Sequence, residues 1–215
     1  EAACSTLLAM FDPRVQNLAN YIPPILDAIM MAFQKYGQRN YFSICDVLAS
    51  LADAVGSALA NPEYVKQFLP PITHRFDHTS NTDVQLIAIL ECLTSLTQAI
   101  GVEFQDYAIS TFQRALHIIN ETLIANAALD ASEVDDTPAK ELIVASLDVL
   151  TGMAQGFGGS YHLVMQGDAQ TMLGLMFECT KDDSDSVRQS AFSLLGDLAK
   201  SCPDLIIPAL PELMV

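Results

Sequence analysis

The chain has 215 residues, just over half of them apolar, and carries 26 acidic against 10 basic side chains, a formal charge of −16. That much apolar surface fills a core and excludes a solvated acidic tail. That much negative charge excludes unaided binding of nucleic acid phosphates and favours a basic peptide or protein as partner, by attraction and by faster encounter.

Five cysteines, Cys4, Cys45, Cys92, Cys179 and Cys202, form no CxxC pair. Several fall on the apolar phase of helical segments, as reduced core thiols of a cytosolic or nuclear protein do. No stretch reads as long and apolar enough to cross a bilayer, so no membrane contact is expected. The chain opens on Glu1-Ala-Ala-Cys4 without an initiator Met or signal peptide and closes on the apolar Leu213-Met-Val215. Both ends read as cut, and a piece of a longer protein is expected.

Residues 1–11 have helical periodicity, which Asp12-Pro13 breaks. Tyr21-Ile-Pro-Pro-Ile25 opens the next helix with proline in its first turn, where a missing N–H does no harm. Its predicted apolar face is Ile25, Ile29, Met30 and Phe33, and it runs to about Gly37. A helix over 41–56 follows. Asn61-Pro62 turns the chain into a short helical lead, after which Phe68-Leu-Pro-Pro-Ile72 repeats the Tyr21 opening 47 residues on. A polar loop from His78 to Thr82 leads into a helix over 84–100, ended by Gly101. The next, over about 103–127, is long, with an apolar phase through Phe112, Ala115, Ile118, Ile119 and Leu123. An acidic loop from Asp130 to Pro138 precedes a helix over 140–155. Gly156-Phe-Gly-Gly159 and the segment to Asp168 read as a loop or broken turn, and 169–181 as a helix. Ser184 or Asp185 is a natural cap for a helix over 185–201. Cys202-Pro203 ends it, and Ile206-Ile-Pro-Ala-Leu210 repeats the proline opening. No period-two strand of useful length appears, so the chain reads as all-α.

Four of these helices carry one eight-residue pattern: Asp46-Val-Leu-Ala-Ser-Leu-Ala-Asp53, Glu91-Cys-Leu-Thr-Ser-Leu-Thr-Gln98, Asp148-Val-Leu-Thr-Gly-Met-Ala-Gln155 and Ser190-Ala-Phe-Ser-Leu-Leu-Gly-Asp197. Places three and six are large and apolar, four and five mostly small, and one and eight polar and usually acidic. Places one and eight are seven residues apart, so they share one stripe of a helix. The pattern starts at 46, 91, 148 and 190, intervals of 45, 57 and 42 residues, and the acidic loop explains the long one. Two helices per unit at this period is the HEAT or armadillo range. The predicted fold is therefore an α-solenoid of antiparallel helix pairs: a partial repeat over 1–20, repeats over 21–60, 61–101, 102–158 and 159–202, and the start of another over 203–215. Pattern helices stacked side by side would bring their polar stripes into one acidic wall along the concave side, with small residues at places four and five allowing close packing.

Asp182, Val187 and Arg188 match the Asp…Val-Arg signature of HEAT repeats, in which the Arg hydrogen-bonds back to the Asp. Further segments narrow the match: Glu1-Ala-Ala-Cys-Ser5, Lys35-Tyr-Gly-Gln-Arg-Asn40, Asn61-Pro-Glu-Tyr64, Leu69-Pro-Pro-Ile72, Leu90-Glu-Cys-Leu93, Ser146-Leu-Asp-Val-Leu150, Val187-Arg-Gln-Ser-Ala-Phe192 and Leu194-Leu-Gly-Asp-Leu198. Together they resemble the transportin, or karyopherin-β2, branch of the importin-β family of nuclear import receptors. The resemblance weakens over 124–140 and 159–180.

It implies a segment of the carboxy-terminal arch of a receptor that shuttles between cytoplasm and nucleus. Such a receptor binds basic proline-tyrosine nuclear localisation signals of cargo on its concave face and is regulated by the small GTPase Ran. Nucleoporins are implied partners of the full-length protein, and no cofactor is implied. Carried onto this sequence, the acidic inner positions are Asp46, Asp53, Glu91, Asp148, Gln155 and Asp197. Two positions of the first inner helix, a Thr and a Glu in the family, fall on Ala9 and Asp12. Val144 is placed to form a pocket for an apolar signal residue. Gln155 stands where the family usually has Glu. The chain has no Trp, whereas the family's groove uses tryptophans on either side of this segment.

Two other classes compete. As an enzyme, the chain would need an acid and a base, and Asp46 with Asp53 would supply carboxylates but no His partner. His74, His78, His117 and His162 are scattered, Asp182-Asp-Ser-Asp185 lacks the Gly and distal Glu of a calcium loop, and Gly156-Phe-Gly-Gly159 follows a helix rather than a strand. No metal site and no catalysis are expected. As a generic HEAT scaffold, the acidic stripes would hold one folded partner or be a solvated face.

Overall fold

In the computed structural model, residues 6–7, 9, 11, 18–36, 40–127 and 138–209 are described. They are helical nearly throughout, with no strand among the described residues. The chain forms two compact units, residues 1–104 and 105–215.

In the first unit, a 3-10 turn (Leu18–Tyr21) leads into α1 (Ile22–Tyr36), followed by α2 (Tyr41–Val55), α3 (Pro62–His78) and α4 (Gln85–Ile100). The flanking helix α1 packs on α2 and on α3, α3 packs on α4, and the pattern helices α2 and α4 pack on each other. Like lies against like, as in a helical repeat of the HEAT type. Leu48, Leu51, Leu93 and Leu96, the large places three and six, are fully buried. Each such side chain stabilises the stack by about 1.5–3 kcal/mol. The face of α1 turns on Ile22, Leu26 and Ile29, and Ile25, Met30 and Phe33 are only half-buried at its edge.

In the second unit, α5 (Gln105–Ala127) is long, with Phe112, Ala115, Ile118 and Ile119 buried. It packs on α6 (Pro138–Phe157), on the short α7 (Tyr161–Met165) and on α8 (Ala169–Thr180). The pattern helix α9 (Asp185–Ser201) packs on α6 and α8, and α10 (Pro203–Ile206) closes against it. Phe112 meets Tyr161 edge-on at 6.2 Å between ring centroids. The acidic loop falls outside the described residues except for Pro138, as does Cys4. Cys45, Cys92, Cys179 and Cys202 are free and buried.

Several expectations are corrected. Phe68-Leu-Pro-Pro-Ile72 opens no helix, because Pro70 and Pro71 lie inside α3. The helix starts at Pro62, capped by Asn61, whose side-chain oxygen accepts from the Glu63 N–H at 2.9 Å. Each interior proline costs about 3 kcal/mol. The buried face of Val65, Phe68, Leu69, Ile72 and Phe76, at about 1.5–3 kcal/mol each, outweighs both. Gly156 does not start a loop. The helix α6 continues to Phe157, a single 3-10 turn (Gly158–Ser160) joins it to α7, and residues 161–165 are therefore helical within the expected loop.

Three stretches, Tyr41–Ala60, Gln85–Asn126 and Pro138–Met165, are long and apolar enough by length and composition to cross a membrane, contrary to the sequence expectation. The stops at Gly56 and Gly101 end α-geometry but not the helical run, which 3-10 turns carry on. Much of this apolarity is buried against neighbouring helices, and Asp46 and Asp53 interrupt the first stretch.

Arg188 hydrogen-bonds back to Asp182 as expected, but to its main chain rather than its carboxylate. Its guanidinium donates to the main-chain oxygens of Asp182 (2.5 Å) and Asp183 (2.9 Å) and pairs with Asp185. The Asp182 carboxylate is instead taken by Lys140, 2.6 and 2.5 Å to its two oxygens, and by the N–H of Ser184. Ser184 precedes α9 but makes no side-chain cap to it, its hydroxyl pairing with that of Ser186.

Candidate functional site

The helical period sorts the eight-residue pattern into two faces. Places two, three, six and seven point one way and places one, four, five and eight the other. In the first unit the sorting is complete. Val47, Leu48, Leu51 and Ala52 of α2 are buried, as are Cys92, Leu93, Leu96 and Thr97 of α4. On the opposite face Asp46 and Asp53, Glu91 and Gln98 are exposed, with half-buried Ala49, Ser50, Thr94 and Ser95 between them. The small residues thus form a low floor between polar ends. The Thr94 hydroxyl donates to the Leu90 carbonyl at 2.9 Å, so it is satisfied within its own helix.

At the carboxy-terminal ends of α2 and α4 this face deepens into a cavity of about 390 Å³, between Asp53, Gly56 and Ser57 of one repeat and Ser95 and Gln98 of the next. Gly56 (φ 52°, ψ −133°) and Gly101 (φ 53°, ψ −122°) end the two helices in a region open to glycine. Neither helix has a basic residue in its last turn. The helix carbonyl ends and Asp53 therefore add their negative potentials there, and only a cation from outside α2 and α4 would balance them.

Beneath this face the Cys92 thiol is pushed well above its ordinary value, first by its hydrogen bond with Cys45, then by burial, and further by the charges of Asp46 and Asp53. The Tyr41 hydroxyl is raised too, chiefly by burial. Both groups stay protonated, so neither supplies an anionic nucleophile. Among the described residues no three of His, Cys, Asp and Glu converge to hold a metal ion.

In the second unit the polar places are engaged between helices. Asp148 is half-buried on α6, and Val144, also half-buried, lies one turn before it on the same stripe. Burial pushes the Asp148 carboxyl up, and the hydrogen bond from Ser190 of α9 offsets part of that. Gln155 is exposed and donates its amide to Asp197 Oδ2 at 2.7 Å. Asp197 is buried and also accepts from Lys200 Nζ, at 2.8 Å on Oδ1. Burial raises its carboxyl, but the hydrogen bonds from Lys200 and Gln155 and the Lys200 charge outweigh this and hold it below the usual carboxylate range. Asp148 with Ser190, Gln155 with Asp197, and Lys140 with Asp182 are each 42 residues apart, so α6 and α9 pack in register place by place. The Gln155 amide permits this, since it donates to Asp197 where a carboxylate would repel it.

The structure thus brings Asp46, Asp53 and Glu91 to one open face and gives Asp148, Gln155 and Asp197 partners in a second unit. Ala9 is helical and exposed, and Asp12 lies outside the described residues. Sequence reasoning missed Ser190 and Lys200 as partners, and Ser57 and Ser95 as cavity walls. One signal was available. Three residues after place eight stand Gly56, Gly101 and Gly158, but in the fourth repeat Lys200.

Asp148→Asn is expected to raise stability at neutral pH. A carboxyl whose folded value is raised favours the native state below its ordinary pKa and loses that contribution as pH rises through the folded value. The asparagine oxygen still accepts from Ser190 but carries no buried charge. The melting temperature should rise by on the order of 2 °C at pH 7, with the difference vanishing below the ordinary carboxylate range. Equal melting curves at all pH values would show that the Asp148 charge is fully solvated.

Residues 2–210 match the family described as importin subunit beta-1-like, TPR repeats. Over its whole length the chain is 34% identical to transportin-1 of Homo sapiens and 37% identical to transportin-1 of Oryza sativa subsp. japonica. It is 32% identical to importin subunit beta-2 of Schizosaccharomyces pombe, again along its full length. It spans about a quarter of the length of these relatives, 24% in each case. Packed helix pairs, the recurring pattern and these matches agree: the chain belongs to the importin-β family of helical-repeat proteins and is similar to its transportin members along its whole length.

Proposed function

We propose that this segment serves a nuclear import receptor by holding the basic, extended part of a proline-tyrosine nuclear localisation signal against the open face of α2 and α4. The full-length protein would shuttle between cytoplasm and nucleus, release cargo under control of Ran and meet nucleoporins through segments beyond this one. The observation that carries the reading is the exposed trio Asp46, Asp53 and Glu91 around a floor of small side chains, on two helices that contain no Lys or Arg at all. Neighbouring helices pack about 8–10 Å apart, and an extended peptide rises about 3.3 Å per residue, so basic residues about three apart would meet successive helices. Each solvent-exposed contact is worth roughly 0.2–1 kcal/mol, enough in series for useful, salt-sensitive binding.

Fluorescence anisotropy of a labelled signal peptide, with its Arg and Lys intact or replaced by Gln, tests the reading. At low salt the neutral peptide should bind roughly tenfold more weakly, the sum of three contacts near 0.5 kcal/mol each, and high salt should narrow the gap. Equal affinity for the two peptides would overturn it, and capture of a folded partner with no peptide binding would favour a scaffold.

A further inference from the structure

We infer that Lys200 is a built-in competitor for the cation of a bound peptide, occupying the acidic place of the fourth repeat and lowering its share in recognition. The inference rests on the proposed binding of basic segments by the pattern helices, and concerns α6 and α9 alone.

Asp197 is the place-eight acid of α9, matched to Gln155 of α6. In the preceding repeats the residue three positions after place eight is glycine, at 56, 101 and 158, with φ near +50° in each case. A glycine there has no side chain to reach back over place eight. In the fourth repeat this position is Lys200, α9 continues through it to Ser201, and its ammonium group sits on Asp197 Oδ1 at 2.8 Å. The lysine itself is 79% exposed while the Asp197 side chain is 11% exposed, so Lys200 forms the solvent side of a carboxylate that is otherwise enclosed. Gln155 holds the other oxygen from within the stack.

The carboxylate charge is thus already answered by a primary ammonium of the same chain, in the geometry an incoming lysine would use. The ammonium end of the pair is open to water and held by one contact, so an incoming cation can displace Lys200, but only by losing part of the gain. The chemistry that would benefit most from removing Lys200 is a guanidinium, whose fork can take Asp197 Oδ1 while leaving Oδ2 to Gln155.

The test uses the 215-residue chain and a labelled extended peptide with arginine at every third position, measured at low salt. Lys200→Ala should tighten binding about two- to fivefold relative to Lys66→Ala, which removes the same charge from an exposed site on α3. Lys200→Arg should keep the wild-type affinity, because it restores the internal cation. Asp197→Asn placed on Lys200→Ala should abolish the gain. If Lys200→Ala and Lys66→Ala bind alike, or the gain survives Asp197→Asn, the competitor role is overturned. The two readings separate: reversing Asp46 and Asp53 without effect removes the first unit's site, while a gain on Lys200→Ala that needs Asp197 still upholds the inference for the second.

Discussion

Replacing Lys140 with methionine is expected to destabilise the second unit by about 3–5 kcal/mol, the loss seen when one partner of a buried ion pair is removed. Lys140 bonds both oxygens of Asp182, and the two side chains are only 11% and 7% exposed. Without the ammonium, the Asp182 carboxylate would stay enclosed with the Ser184 N–H as a remaining donor. Cys179 already reports on this enclosure. Its thiol is pushed up to about 12, first by burial and then by the Asp182 charge, with Lys140 pulling the other way. At about 2–4 °C per kcal/mol for a chain of this length, the melting temperature should fall by roughly 6–20 °C. The double variant Lys140→Met with Asp182→Asn should recover most of the loss, since asparagine still accepts from Ser184 and no buried charge is left alone. Lys66→Met, whose Glu63 pair is largely exposed, should change stability by less than about 1 kcal/mol. Thermal unfolding followed by circular dichroism reads all three. A Lys140→Met chain that melts with its parent would show that water reaches the pair freely.

Reversing Asp46 and Asp53 to lysine should weaken a basic signal peptide by on the order of thirtyfold at low salt. Two attractive contacts of about 0.5 kcal/mol are lost and two repulsions of similar size replace them. The effect should shrink as salt rises, because the screening length falls from about 30 Å at 0.01 M to about 8 Å at physiological ionic strength. Both side chains are exposed on α2, so folding should be unaffected and the far-ultraviolet spectrum unchanged. The asparagine pair should show about half the loss in free energy, having removed attraction without adding repulsion. An unchanged dissociation constant for the lysine pair would remove both residues from the site.

The two outcomes would separate acids that look alike along the chain. Asp46, Asp53, Asp148 and Asp197 all end the same pattern, yet the first two face outward and the last two serve the contact between α6 and α9. Stability experiments should register Asp148 and Asp182, and binding experiments Asp46 and Asp53. Asp197 should register in binding only when Lys200 is gone.

Helix positions and the buried stripe were legible beforehand because both are local. A run such as Val47, Leu48, Leu51, Ala52 has one period whatever lies next to it, and Asp46 and Asp53 must share the other face. Three features depended on residues some forty positions away and were decided only when the helices packed. Pro70 and Pro71 lie within α3 because five buried apolar side chains outweigh two lost hydrogen bonds. Lys140 rather than Arg188 takes the Asp182 carboxylate because register between α6 and α9 brings it there. Which acids are engaged in the second unit is set by the same register, since Ser190, Gln155 and Lys140 reach Asp148, Asp197 and Asp182 only because two repeats, 42 residues apart, pack side by side.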